Sequence, residues 1–109
     1  MSKPWPPPPD LASIKELVAN ADVEGFIADG APLDEYDSEA EDLFRAIQYF
    51  ATNELVPVTI MPHLKRIWAV SFNVIGEDLD KRMPALEGLA AQIARFFGPE
   101  ARPQVRGSM

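Results

Sequence analysis

Apolar residues recur at helical spacing in four separate stretches of the sequence, and this periodicity is the feature that most constrains the fold. The stretches cover residues 11–21, 40–51, 64–72 and 86–97, and segments rich in Gly, Pro, Asn and Asp separate them. Each stretch places its apolar side chains on one face, so these faces have to bury one another. The pattern predicts an all-α fold, a small bundle of four main helices plus one short helix, as a single domain over residues 10–98.

Capping residues set the boundaries of the first predicted helices. Asp10 is a good N-cap for the first helix, and a short helix is predicted over residues 22–28 with Asp22 as its cap. Gly30 ends this short helix, because Gly readily adopts the left-handed backbone conformation found at helix ends. The next main helix is predicted to start near residues 37–38, where carboxylates complement the positive end of a helix.

Prolines guide the predictions for the last two helices. Thr59 suits the cap of a helix with Pro62 in its first turn, and Pro84 suits the first turn of the last helix, which Gly98 ends. A β-strand over residues 55–61 is the alternative, since Val, Thr and Ile favour strands. A lone strand has nothing in this chain to pair with, so the helix is the preferred interpretation.

The two ends of the chain lie outside the predicted domain. Residues 1–9 hold five prolines, whose fixed φ predicts an extended Pro-rich arm. Residues 99–109 have almost no apolar content, which predicts a loose C-terminal tail. The first residues lack the apolar stretch of a signal peptide, so we expect a cytoplasmic protein.

The composition argues against several classes of protein. The chain has no Cys and one His, which leaves no disulfide framework and few ligands for a transition metal, and we expect no cofactor. No apolar run approaches the roughly 20 residues of a membrane span. The formal net charge of −7 argues against nucleic acid, because neutralising phosphates requires a basic face. We therefore expect neither a membrane nor a nucleic-acid partner.

The negative charge is concentrated in one part of the chain. Residues 10–42 carry eleven carboxylates and one base, a net charge of −10, whereas residues 43–109 carry a net charge of +2. Such an asymmetry affects how a protein associates with its partners rather than how it folds. It favours a protein partner that presents a basic surface.

Residues 21–39 carry the most distinctive pattern, Ala-Asp-Val-Glu-Gly-Phe-Ile-Ala-Asp-Gly-Ala-Pro-Leu-Asp-Glu-Tyr-Asp-Ser-Glu. This stretch resembles the family of small bacterial helical proteins catalogued as domain of unknown function 1871, whose pattern reads Trp-Asp-Pro-x-Gly-Leu, a short spacer, and Gly-Ala-Pro-x-Asp-Glu-Tyr-Asp. Ala21 stands in the place of the Trp and Val23 in the place of the Pro. The resemblance implies a small cytoplasmic helical fold, and it implies no activity.

Three acids and a tyrosine within residues 30–37 leave three interpretations open. This loop can form an acidic patch for a basic partner, a carboxylate site for a cation, or a structural connection in which Asp37 caps a helix and the other groups bind backbone amides. Tyr36 can pack its ring on the core while its hydroxyl binds a carboxylate. The candidate residues for contact with a partner are Asp34, Glu35, Tyr36 and Asp37, supported by Glu39 and Asp42.

The sequence contains no recognisable catalytic arrangement. His63 is the only imidazole, and no Ser stands in a nucleophile motif. The leading hypothesis is a non-enzymatic protein-interaction module, of inhibitor or immunity type, that binds a basic partner. The alternatives are a metal-binding or hydrolytic protein that uses the carboxylates of residues 34–39, and a structural homodimer. In the homodimer, the basic pairs at residues 65–66 and 81–82 meet the acidic part of another copy.

Overall fold

Four α-helices make up most of residues 6–101, the part of the chain that the computed structural model describes. In chain order they are α1 (Leu11–Ala21), α2 (Asp37–Ile47), α3 (Pro57–Ser71) and α4 (Glu77–Phe97), with a 3-10 turn at Thr52–Glu54 between α2 and α3. Residues 6–101 contain no strand, and most of the segment considered for one belongs to α3. The prediction of a small all-α bundle is confirmed.

The first helix begins where its predicted cap places it. The Oδ2 atom of Asp10 accepts a hydrogen bond from the Ser13 N–H at 2.9 Å, which satisfies one of the free donors in the first turn of α1. The second helix begins at Asp37, within the predicted residues. Its N-cap is Tyr36, so Asp37 is the first helical residue rather than the cap. The Tyr36 side chain makes no capping hydrogen bond to the first turn of α2.

The short helix predicted over residues 22–28 does not form, and residues 23–30 make turns and a bend instead. Asp22 and Gly25 have φ angles of 42° and 76°, which a right-handed helix cannot contain. The Asp22 side chain binds backbone N–H groups further along the segment, so it stabilises these turns rather than a helix.

The third helix begins two residues before its predicted cap. Pro57 occupies its first position, where the missing N–H is not needed, and Thr59 lies inside the helix. Pro62 also lies inside the helix and removes the hydrogen bond to the Val58 carbonyl. Both residues are exposed, so water can replace the lost bond.

The fourth helix begins at Glu77, seven residues before the start predicted at Pro84. Gly76 precedes it with a φ of 57°, and three acids in the first turn complement the positive end of the helix. Pro84 lies inside the helix at an exposed position, so it does not mark the beginning. Gly98 ends the helix, as predicted.

Side chains from all four helices form one core. α1 packs on α2 and α4, and α3 packs on the same two helices. Trp68 of α3 and Tyr36, directly before α2, are the largest fully buried side chains. The predicted apolar faces are confirmed at Ile14, Leu17, Val18, Ala40, Leu43, Ile47, Leu64, Ile67, Leu86, Leu89, Ala90, Ile93 and Phe97.

Parts of the predicted arm and tail, residues 1–5 and 102–109, lie outside the described residues. In the remainder of the arm, Pro9 is buried and Pro6 and Pro7 are partly buried, so this part lies on the bundle. Within residues 6–101, no helix combines the length and the apolar character that are needed to cross a membrane.

Candidate functional site

The connection between α1 and α2, residues 22–36, contains most of the distinctive sequence pattern. Backbone hydrogen bonds shape it, and the N–H groups of Gly30 and Ala31 donate to carbonyls three and five residues earlier. Gly30 has a φ of 108°, which side-chain-bearing residues rarely adopt. The chain turns back on itself here, so that Asp22 meets Tyr36 across 14 residues.

Asp22 is the central acceptor of the α1–α2 connection. Its Oδ1 atom accepts hydrogen bonds from the Tyr36 hydroxyl at 2.6 Å and the Ile27 N–H at 3.1 Å, and its Oδ2 atom accepts one from the Ala28 N–H at 2.9 Å. The Tyr36 hydroxyl, assisted by the backbone donors, stabilises the carboxylate and holds the pKa of Asp22 below its ordinary value of 3.8. The carboxylate is therefore ionised at neutral pH and is bound by three donors of the same connection.

Tyr36 is the buried partner of Asp22, with only 1% of its surface exposed. Its ring packs against three aromatic rings, with centroid distances of 6.0 Å to Phe26, 6.2 Å to Trp68 and 6.4 Å to Phe72. Its hydroxyl donates to Asp22 and accepts the Glu24 N–H at 3.0 Å. Burial and the hydrogen bond to Asp22 raise the pKa of Tyr36 to about 12. The prediction that Tyr36 packs on the core and binds a carboxylate is confirmed.

Glu24 ties the α1–α2 connection to α3 and α4. Its carboxylate accepts hydrogen bonds from Trp68 Nε1 at 2.9 Å and from two guanidinium nitrogens of Arg82 at 2.9 and 3.0 Å. The Arg82 guanidinium, more than the Trp68 donor, lowers the pKa of Glu24, and the carboxylate raises the pKa of Arg82. The pair is charged and bidentate, the geometry in which Arg binds carboxylates most strongly.

The side chains of Asp22, Glu24, Tyr36, Trp68 and Arg82 form one hydrogen-bonded network, and their polar groups bind partners within the fold. Among residues 6–101, no buried side-chain nitrogen or oxygen lacks a hydrogen-bond partner. The same part of the chain contains no group of three or more His, Cys, Asp or Glu side chains placed to hold a metal ion. The contacts of Glu24 with Trp68 and Arg82 join the α1–α2 connection to α3 and α4.

Two of the six residues predicted to contact a partner are buried. Tyr36 is 1% exposed and Glu39 is 8% exposed. Tyr36 is not a surface residue because its ring completes the core and its hydroxyl is held by Asp22. Glu39 is likewise one of the buried residues of α2. Little of either side chain is therefore exposed for contact with another protein.

The other four predicted contact residues carry accessible carboxylates: Asp34, Glu35, Asp37 and Asp42. The Nζ atom of Lys15 lies 3.5 Å from Asp37 Oδ2, and Arg45 pairs with Asp42. Both pairs are at the surface, where ion pairs contribute little to stability. Asp37 and Asp42 therefore pair with basic side chains, whereas Asp34 and Glu35 form no ion pair within residues 6–101.

A shallow depression of about 290 Å³ lies beside these carboxylates. It is lined by Lys15, Glu16, Ala19 and Asn20 of α1 and by Leu33, Asp34 and Asp37. Leu33 is 75% exposed and places an apolar side chain beside Asp34 and Glu35 at the surface. We call Leu33, Asp34, Glu35, Asp37 and Asp42 the acidic surface.

The sequence-based predictions do not include the contacts of Glu24 with Trp68 and Arg82, although these three residues belong to the network. Arg82 is grouped there with Lys81 as a basic pair, yet its guanidinium binds Glu24. One signal is present in the sequence: a Trp on a buried helix face brings an indole N–H that needs an acceptor. The acceptor lies 44 residues away, and only the folded chain identifies it.

Comparison with known proteins gives no match: no protein-family model, no curated protein and no solved structure matches the chain. The resemblance of residues 21–39 to domain of unknown function 1871 stays a prediction. Within that stretch, two positions that agree with the family pattern, Asp22 and Tyr36, bind each other.

Proposed function

We propose that this chain is a non-enzymatic, cytoplasmic protein-interaction module whose acidic surface binds a basic partner protein. One observation carries the proposal: Leu33, Asp34 and Glu35 are exposed side by side on a connection whose Asp22, Glu24 and Tyr36 side chains are bound internally. Leu33 offers an apolar contact, and the two carboxylates beside it offer acceptors for Lys and Arg. An apolar centre with a polar rim is typical of protein interfaces.

The carboxylates of the acidic surface differ from those inside the α1–α2 connection. Asp22 and Glu24 bind internal donors, and Arg82 neutralises Glu24. Asp34 and Glu35 form no ion pair within residues 6–101. Their negative charge is therefore free to attract a partner of opposite charge.

The charge distribution supports an inhibitor or immunity role. The net charge of −10 over residues 10–42 concentrates negative potential around the acidic surface. Complementary charge speeds the encounter of two proteins and excludes wrongly charged partners. A basic toxin domain, or another enzyme with a basic active face, is the class of partner that such a surface suits.

Capture from native lysate over a series of salt concentrations tests this function. The baits are the full chain and the variant D34K/E35K, which reverses the acidic surface. The matched control is E87K/E100K. It reverses two exposed acids outside the acidic surface and has the same net charge as D34K/E35K.

We expect the wild type and the control to retain a basic protein at low salt and to release it as salt increases, because screening weakens exposed charge pairs. We expect D34K/E35K not to retain it. Absence of a captured basic protein, or equal capture by all three baits, contradicts the proposed function.

A further inference from the structure

The outward side of α3 is an exposed helix face. Val58, Pro62, Lys65, Arg66 and Val70 are all exposed, and they recur at helical spacing on the side opposite the buried residues of α3. Val58 and Val70 are 80% and 79% exposed. We call these five residues the basic face of α3.

Lys65 and Arg66 give this face its charge. Neither residue forms an ion pair within residues 6–101, and the Nη2 atom of Arg66 lies 3.1 Å from His63 Nδ1. Their cationic groups stand between two valines that are almost fully exposed. An exposed apolar surface with free charges on it is typical of an interaction site.

We propose that the basic face of α3 binds the acidic surface of a second copy of this chain, head to tail. The two surfaces match in both polarity and charge. One offers the exposed Leu33 beside carboxylates, and the other offers exposed valines beside two cations. This inference rests on the proposed function, since it names a partner for the same acidic surface.

The charge distribution along the chain favours this pairing over contact between two acidic surfaces. Residues 10–42 carry −10 and residues 43–109 carry +2, so copies that meet through their acidic parts repel each other. A head-to-tail contact places opposite charges together. Each copy carries both surfaces, so the chain alone provides everything that the contact needs.

Sedimentation velocity at low ionic strength over a range of protein concentrations tests the inference. We expect the wild type to self-associate as its concentration rises. D34K/E35K and K65E/R66E each reverse one surface, and we expect each variant to weaken the association constant by about tenfold or more.

An equimolar mixture of these two variants provides the decisive comparison. One variant retains the basic face of α3 and the other retains the acidic surface, so we expect the mixture to associate more strongly than either variant does alone. Circular dichroism verifies that each variant is folded, and K65Q/R66Q replaces the double reversal if that variant loses its helices.

Two further variants control for net charge. E87K/E100K has the net charge of D34K/E35K, and K81E/R95E has the net charge of K65E/R66E, with all four substitutions at positions that belong to neither surface. We expect both controls to associate like the wild type. Controls that lose association as strongly as the surface variants overturn the inference.

A wild type that remains monomeric over the whole concentration range overturns the inference, and so does a mixture that does not associate. Either result is distinguishable from failure of the proposed function, because K65E/R66E leaves the acidic surface intact. If the proposed function holds, K65E/R66E still captures a basic partner from lysate whatever its own association.

Discussion

The Tyr36 hydroxyl donates a hydrogen bond of 2.6 Å to Oδ1 of Asp22, and this contact closes the α1–α2 connection. The same hydroxyl accepts the N–H of Glu24, whose carboxylate binds Trp68 of α3 and Arg82 of α4. Polar contacts therefore lead from the α1–α2 connection to both C-terminal helices. The buried residues of the connection fix its conformation, whereas the exposed Asp34 and Glu35 form no ion pair within residues 6–101.

Acid is expected to destabilise the protein through Asp22 and Glu24. The pKa values of both carboxyl groups lie below their ordinary values of 3.8 and 4.5, so the folded state binds protons more weakly than the unfolded chain. Their contribution to stability is complete above the ordinary values and is lost as the pH falls through the lowered ones.

Urea denaturation at a series of acidic pH values measures this loss. We expect the free energy of unfolding to decline as the pH falls below about 4.5. The decline is expected to be shallower in Asp22→Asn and in Glu24→Gln, because each variant lacks one of the groups that titrate. A decline that is equally steep in the wild type and both variants contradicts the assignment.

Alkali is expected to destabilise the protein by ionising Tyr36. Burial, together with the hydrogen bond to Asp22, raises the pKa of Tyr36 from 10.0 to about 12. A raised pKa means that the fold favours the neutral phenol. This stabilising contribution is therefore present below pH 10.0 and is lost as the pH rises towards about 12.

The phenolate absorbance of Tyr49→Phe reports Tyr36 alone, because the chain has two tyrosines. We expect this absorbance to develop well above pH 10.0, and to develop at lower pH when Asp22→Asn is added, because that change removes the negative charge that opposes ionisation and replaces the carboxylate by a weaker, neutral acceptor. A folded protein whose Tyr36 titrates at its ordinary pKa contradicts the buried contact.

Loss of Arg82 is expected to destabilise the fold more than loss of a surface arginine. Arg82→Met leaves the Glu24 carboxylate, 6% exposed, with one side-chain donor. We expect the free energy of unfolding to fall by about 2 to 3 kcal/mol, less than for a fully buried pair because 26% of the Arg82 side chain is exposed.

Arg45→Met is the matched control, since Arg45 and Asp42 are 64% and 43% exposed and their pair is worth at most about 1 kcal/mol. Combining Arg82→Met with Glu24→Gln is expected to cost less than the sum of the single changes, because the two side chains bind each other. Equal losses for the two arginine variants in urea denaturation contradict the role of Arg82.

Two glycines near the end of the chain are expected to respond oppositely to Ala. At Gly88, inside α4, nothing lies within 4 Å of an added Cβ, which points into a groove of about 480 Å³ between α1 and α4. Ala is a better helix former than Gly, so Gly88→Ala is expected to raise the free energy of unfolding by about 0.5 to 1 kcal/mol.

At Gly98 an added Cβ comes within 2.3 Å of the Leu55 carbonyl oxygen and 2.7 Å of that of Ala94. Gly98→Ala is therefore expected to lower the thermal denaturation temperature, whereas Gly88→Ala raises it. Stabilisation by Gly98→Ala, or destabilisation by Gly88→Ala, contradicts the packing at these two positions.

Periodicity predicts the four helices correctly because each buries a continuous apolar face, as Leu64, Ile67 and Trp68 do in α3. It places the start of α4 too late, since the polar first turn carries little apolar signal and Pro84 resembles a helix start. Pro62 and Pro84 both lie inside helices at exposed positions, where water can replace the hydrogen bonds that they remove. The sequence alone does not show that these positions are exposed.

The candidate site is predictable only in part. The sequence allows Tyr36 to pack on the core with its hydroxyl bound to a carboxylate, but it also predicts Tyr36 as a contact for a partner, which its burial contradicts. It does not identify Asp22 as that carboxylate. The pairing of Glu24 with Arg82 across 58 residues depends on the angles at which α3 and α4 pack, and a helical periodicity contains no information about those angles.

We infer that the α1–α2 connection has a buried half that stabilises the fold and an exposed half that does not. Urea denaturation of Tyr36→Phe, compared with the double variant D34N/E35Q, separates the two halves. Tyr49→Phe, at a residue that is 90% exposed, controls for the loss of a hydroxyl alone.

We expect Tyr36→Phe to lower the free energy of unfolding by about 1 to 3 kcal/mol, because it leaves the Glu24 N–H and an acceptor of Asp22 without their partner. We expect changes within about 0.5 kcal/mol for D34N/E35Q and for Tyr49→Phe. A Tyr36→Phe variant as stable as the wild type, or a D34N/E35Q variant that is equally destabilised, contradicts this division of the connection.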